Sequence, residues 1–153
     1  MHSRIFQVGL EPIMKAEHIT ESDYWESWFT QEIANYVDEN TDRNDDIEWF
    51  KDSCNGFIFD KDNNGEYFIV KDKGAYFEKK FKMFSEAVGK IKDYTLNDFS
   101  LGIVEMWTLR YAYEDRFGFY VDADGELMNL DRFVRGCATN VKYYIGGTID
   151  YHF

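Results

Sequence analysis

A chain of 153 residues that is 44% hydrophobic and 19% aromatic can bury a continuous core without disulfides or a structural metal, and it is too apolar to be disordered. Its 29 acidic residues against 17 basic ones, a net charge of −12, argue against a free-standing nucleic-acid binder, which needs a surplus of Lys and Arg to neutralise phosphates. No stretch approaches a membrane-spanning helix, no apolar region of signal-peptide length follows Met1, and two cysteines, Cys54 and Cys137, read as reduced thiols, so the expectation is one cytoplasmic domain over residues 1–153.

The first predicted element is a strand over Arg4–Gly9, which Pro12 follows as the exit from it. Thr20 or Ser22 caps a helix reaching about Asp38, because Trp25, Trp28, Phe29, Ile33, Tyr36 and Val37 recur at three- and four-residue steps. A short helix is expected at Asp45–Ser53, and then a hairpin, in which Gly56–Phe59 and Glu66–Val70 flank the turn-forming run Asp60-Lys-Asp-Asn-Asn-Gly65. Phe77, Phe81, Phe84, Val88 and Ile91 predict an amphipathic helix with Lys79, Lys82, Glu86 and Lys90 on its wet side.

Thr95 and Asp98 open a fourth helix that runs to about Asp115 and is apolar almost all round, which predicts a central position. A second hairpin spans Phe117–Met128 around Asp122-Ala-Asp-Gly125, and a helical turn lies near Asp131–Gly136. From Tyr143 to Phe153 odd positions are apolar and even ones mainly polar, so Tyr143, Ile145, Ile149, Tyr151 and Phe153 are expected on one face, with Gly146-Gly147 permitting a bulge or a close approach of another backbone. The sum is an α+β fold: an antiparallel sheet of about five to six strands with about four helices mainly on one face.

Motifs for chemistry are sparse. Asp60-Lys-Asp62-Asn-Asn64-Gly65-Glu66 copies the opening of a calcium loop, but Phe68 and Lys71 stand where later ligands belong, and the same residues make a hairpin turn. No catalytic signature is present, and neither a metal nor a cofactor is expected. His152 and Asp150 share a strand face and could orient an imidazole. On a helix continuous over 95–115, Arg110 and Glu114 fall on the most apolar side; Glu32 falls likewise between Trp25 and Trp28, so an internal ion pair or a charged site in an aromatic pocket is expected.

Charge is uneven: residues 11–52 hold thirteen carboxylates against three cations, whereas residues 71–92 hold seven lysines against three acids. The leading expectation is therefore a non-catalytic interaction or regulatory domain whose acidic third (Asp23, Glu26, Asp38, Glu39, Asp42, Asp45 and Asp46) meets a basic protein or mimics nucleic-acid charge. The rival is a small enzyme or ligand-binding domain with an aromatic pocket and Arg110 as anion anchor.

Overall fold

The computed structural model describes all 153 residues and has an α+β fold with a seven-stranded, mostly antiparallel sheet. Strand β1 (His2–Gly9) and the long β7 (Lys142–His152) form its centre. Beyond β7 lie β4 (Gly65–Val70), paired to its first residues, and β2 (Tyr36–Asp38), paired to its last. Strand β3 (Phe57–Asp62) closes that edge as the hairpin partner of β4. On the other side β5 (Tyr120–Ala123) runs parallel to β1 and carries β6 (Glu126–Asn129) at the edge.

The second hairpin turns on Asp124 and Gly125, both at positive φ (53° and 84°), the backbone that a tight two-residue connection requires. The sheet exceeds the expected size because β2 forms within the stretch expected to be helical. There the chain makes a 3-10 turn at Glu21–Tyr24, then the short helix α1 (Trp28–Glu32), with Glu26 at φ 59° between them. Pairing of Val37 with Tyr151 on β7 overrides the local helical spacing, and Trp25 and Trp28 end up exposed while Tyr24 and Phe29 are buried.

Alternation along β1 divides the core between the two faces of the sheet. Phe6 and Val8 point to one face, where Ile47 and Phe50 of α2 (Arg43–Ser53), Cys54 at its C-cap, and Leu130, Phe133 and Val134 of α6 (Leu130–Gly136) cover them. Ile5 points to the other, against Tyr24, Phe29, Tyr120, Ile149 and Tyr151. The longer helices thus share one face, and short segments cover the second.

One bulge in β7 lets that strand serve both cores. Phe6 pairs with Thr148 and Val8 with Ile145, so one residue, Gln7, stands opposite two, Gly146 and Gly147. The extra residue inverts the alternation. Tyr143 and Ile145 join the first core while Ile149 and Tyr151 join the second, which corrects the expectation of a single greasy face. Both positions are tight: a Cβ on Gly146 would lie 2.4 Å from Gln7 Oε1 and displace that side chain, and one on Gly147 would lie 3.1 Å from the Ile19 backbone nitrogen. Gln7 in turn accepts from the Gly147 amide (2.9 Å) and the Ile19 amide (3.1 Å).

Helix α3 (Lys73–Ile91), capped by Asp72, pairs with α5 (Glu105–Tyr113) as a helical hairpin, with the small helix α4 (Leu96–Leu101) between them. The expected single helix over 95–115 is therefore two helices. Gly102 at φ 104° ends the first, as an L-residue rarely could. No helix of the protein is long and apolar enough to cross a membrane.

Candidate functional site

Two features stand out, and both involve the α3–α5 hairpin. The first is its outer surface. Leu96, Phe99, Leu101, Val104 and Trp107 are 69–83% exposed, and Phe81 of α3 is 69% exposed. Taking about 150–250 Å² for each large ring, Phe81, Phe99 and Trp107 alone present roughly 300–500 Å² of apolar surface. The aliphatic side chains of Leu96, Leu101 and Val104 add to this exposed apolar area.

Residues 73–113 also carry seven cations and five acids in a chain whose total charge is −12. Lys79, Lys82, Lys90, Lys92 and Arg110 are exposed and take part in no ion pair, although the protein has carboxylates in excess.

The second feature is a cavity of about 390 Å³ between the hairpin and the sheet, with Trp49, Tyr111, Phe117 and Phe119 among its walls. Its floor is a polar network centred on Asp131, which is 1% exposed only because every part of its carboxylate is satisfied. Tyr76 Oη donates to Oδ1 (2.8 Å); Lys80 Nζ (2.6 Å) and the Asp115 amide (2.8 Å) donate to Oδ2. Asn129 caps α6, its Oδ1 accepting from the Asp131 amide (2.8 Å), while its Nδ2 donates to the Asp115 carbonyl.

Two buried side chains thus hold the backbone of Asp115 from both ends. Its own carboxylate accepts only the Phe117 amide (3.1 Å) through Oδ1, which leaves Oδ2 without a protein partner. Gly118 makes room for that carboxylate, because a Cβ there would lie 2.9 Å from Oδ2. Burial raises the pKa of Asp115, and burial followed by the charge of Asp131 raises that of Tyr76. Beneath the network the thiol of Cys54 is pushed up by burial as well, so it is a poor nucleophile.

The residues singled out from sequence are placed differently. Arg110 is exposed on the outer side of α5, 5.9 Å from the Trp107 ring, and is neither buried nor paired with Glu114 or Glu32. The break at Gly102 resets the helical phase, so an angle counted from Phe99 does not carry over to Arg110. Glu114 pairs instead with Arg132 (3.0 Å) and Arg135 (3.8 Å). Glu32 is exposed, and its carbonyl accepts from Arg116 (2.5 Å). The two glutamates do line one cavity of about 360 Å³, in the company of Arg116 and Arg132.

Asp150 and His152 are not bonded to each other. Asp150 accepts from His2 Nδ1 (2.8 Å) and from Arg4, whereas His152 stacks on Tyr36 with ring centroids 5.1 Å apart. Desolvation lowers the pKa of His152, and the N-terminal ammonium, whose nitrogen lies 3.1 Å from Nε2, lowers it further.

Of the seven acidic-surface residues, Asp23, Glu26, Glu39, Asp42 and Asp45 are exposed and Asp38 is half-buried. Asp46 is 2% exposed and does not belong to that surface, because it faces the sheet from α2 and accepts from Arg4 Nε (2.5 Å), Thr41 (2.9 Å) and Thr148 (2.7 Å).

Sequence reasoning passed over Lys80, Asp115, Asn129 and Asp131 altogether. The one available signal was Lys80 itself, which lies on the side of α3 shared by Phe77, Phe84 and Ile91, where an apolar residue belongs. Comparison of the chain with protein families, with curated proteins and with solved structures finds no match.

Proposed function

We propose that this protein is an interaction domain that docks a partner protein through the outer face of the α3–α5 hairpin. The observation that carries the reading is the exposure of Leu96, Phe99, Leu101, Val104 and Trp107 within one short stretch of chain. The partner is an apolar protein segment with acidic flanks, because exposed cations without acid partners (Lys79, Lys82, Lys90, Lys92 and Arg110) share the hairpin with the patch. An anionic membrane would also attract those cations, but a total charge of −12 opposes approach to such a surface. Two hairpins of this chain set face to face would bring like charges together.

The acidic segment supports a second contact, of opposite charge. Asp23, Glu26, Glu39, Asp42 and Asp45 remain open to solvent and suit a basic surface on a partner.

The test is affinity purification of the full chain and of a Phe99→Ser/Trp107→Ser variant from the same extract, with cross-linking mass spectrometry to locate the contact. The reading expects a partner retained by the parent chain, lost by the variant, and cross-linked from an acidic-apolar segment to residues 79–110. Identical retention by both chains overturns it. So does a parent chain that self-associates through hairpin-to-hairpin cross-links, or one that binds anionic vesicles while the variant does not.

A further inference from the structure

The cavity above Asp131 is built more carefully than a packing defect. An accidental gap in a core is lined by apolar side chains that failed to meet. This one has a buried carboxylate at its base, satisfied by three donors: Tyr76 Oη and Lys80 Nζ from α3, and the Asp115 amide. The network fixes two charged groups at the cavity: the ammonium of Lys80 and the carboxylate of Asp115.

The two charges are not equivalent. Lys80 is matched by Asp131 in direct contact at 2.6 Å. Asp115 forms no ion pair, and its Oδ2 has no donor from the protein. The unmatched charge of the cavity is therefore a single negative one. The rings of Trp49 and Tyr111 already meet cations of the protein, Arg4 at 5.3 Å and Lys80 at 5.9 Å, so they supply apolar walls and selection for charge rests on Asp115. A volume of about 390 Å³ falls within the range of small-molecule pockets.

We propose that this cavity binds a small organic ammonium ion with a flat apolar body. The ammonium donates to Asp115 Oδ2, and the ring lies among Trp49, Tyr111, Phe117 and Phe119. Lys80 and Asp131 stay paired and position the site without contacting the charge. Binding substitutes a charged donor for the water around a half-buried carboxylate, an exchange that favours ligand because hydrogen bonds to charged groups are the stronger ones. The site is independent of partner docking, since no residue of it belongs to the exposed tip of the hairpin.

Calorimetric titration of the full chain with tryptamine and with indole-3-propionate tests this, because the two probes share a ring system and differ in the sign of their charge. Saturable binding of tryptamine and none of indole-3-propionate is expected. Asp115→Asn should weaken tryptamine at least about tenfold, the loss of roughly one charge-assisted hydrogen bond. Tyr111→Leu, at a half-exposed ring, should weaken it less, and Glu114→Gln should leave it unchanged. Equal binding of both probes, no binding of tryptamine, or unchanged affinity in Asp115→Asn overturns the proposal. If Asp115→Asn fails to fold, the comparison of the two probes on the parent chain still decides.

Discussion

Lys80 reaches from α3 to Asp131 at the start of α6 with 2.6 Å between Nζ and Oδ2, and so ties the helical hairpin to the body of the protein. Asp131 keeps two other donors, Tyr76 Oη and the Asp115 amide, but Lys80 is its only cation. Removing one member of a buried ion pair costs about 3–5 kcal/mol, because the remaining charge stays buried without compensation. Lys80→Met should therefore lower stability by about that amount in urea denaturation, less whatever Lys80 gains from its partial exposure. Adding Asp131→Asn to it should restore part of the loss, a coupling that a double-mutant cycle reads directly.

Asp115 should show the opposite behaviour. Burial raises its pKa, so the folded protein holds that proton more tightly than the unfolded chain does. Stability from this group is complete below the ordinary carboxylate value of 3.8 and is lost as pH rises through the higher folded value. At neutral pH the ionised carboxylate works against folding. Asp115→Asn should melt at a higher temperature than the parent chain at pH 7, and the gap should close as pH falls below 3.8. A stabilising substitution at a group poised for a ligand is the pattern expected where function opposes stability.

The β7 bulge is tightly packed at Gly147. Gly147→Val places a Cβ about 3.1 Å from the Ile19 amide nitrogen, which is backbone and cannot swing aside as a side-chain tip could. A loss of about 1–3 kcal/mol is expected from overpacking. Thermal melting of Gly147→Val beside Gly136→Ala, where a Cβ meets open space, is the measurement.

Removal of Ile149–Phe153 deletes the half of β7 that pairs with β2 and with the start of β1. Ile149 and Tyr151 are 0% exposed, and at about 1.5–3 kcal/mol each their burial alone contributes roughly 3–6 kcal/mol. That is comparable to the whole stability of a domain this size, about 5–15 kcal/mol. The truncated chain should show no cooperative thermal transition by circular dichroism; a melt like that of the parent chain would show that the second core does not depend on this strand.

Some elements were legible because their causes are local. Thr95 with Asp98 boxes the start of α4, and Asp124-Gly125 turns the second hairpin, each through bonds or dihedrals within a few residues. The α+β class followed from alternation and composition, and the glycine pair Gly146-Gly147 marked where a bulge was possible.

The rest depended on residues far apart in the chain. Val37 lies in a strand rather than a helix because Tyr151 offers a ladder to pair with, and Arg110 faces solvent because Gly102 interrupts the helix that carried its expected phase. Asp46 leaves the acidic surface because Arg4 and Thr148 meet it from the sheet. Spacing in the sequence can state which residues share a face only where the element is regular, and the bulge in β7 split Tyr143 and Ile145 from Ile149 and Tyr151. Spacing cannot bring Trp49, Lys80, Asp115 and Asp131 to one cavity, because they stand on separate parts of the chain and meet only where α2, α3 and α6 pack together beside the sheet.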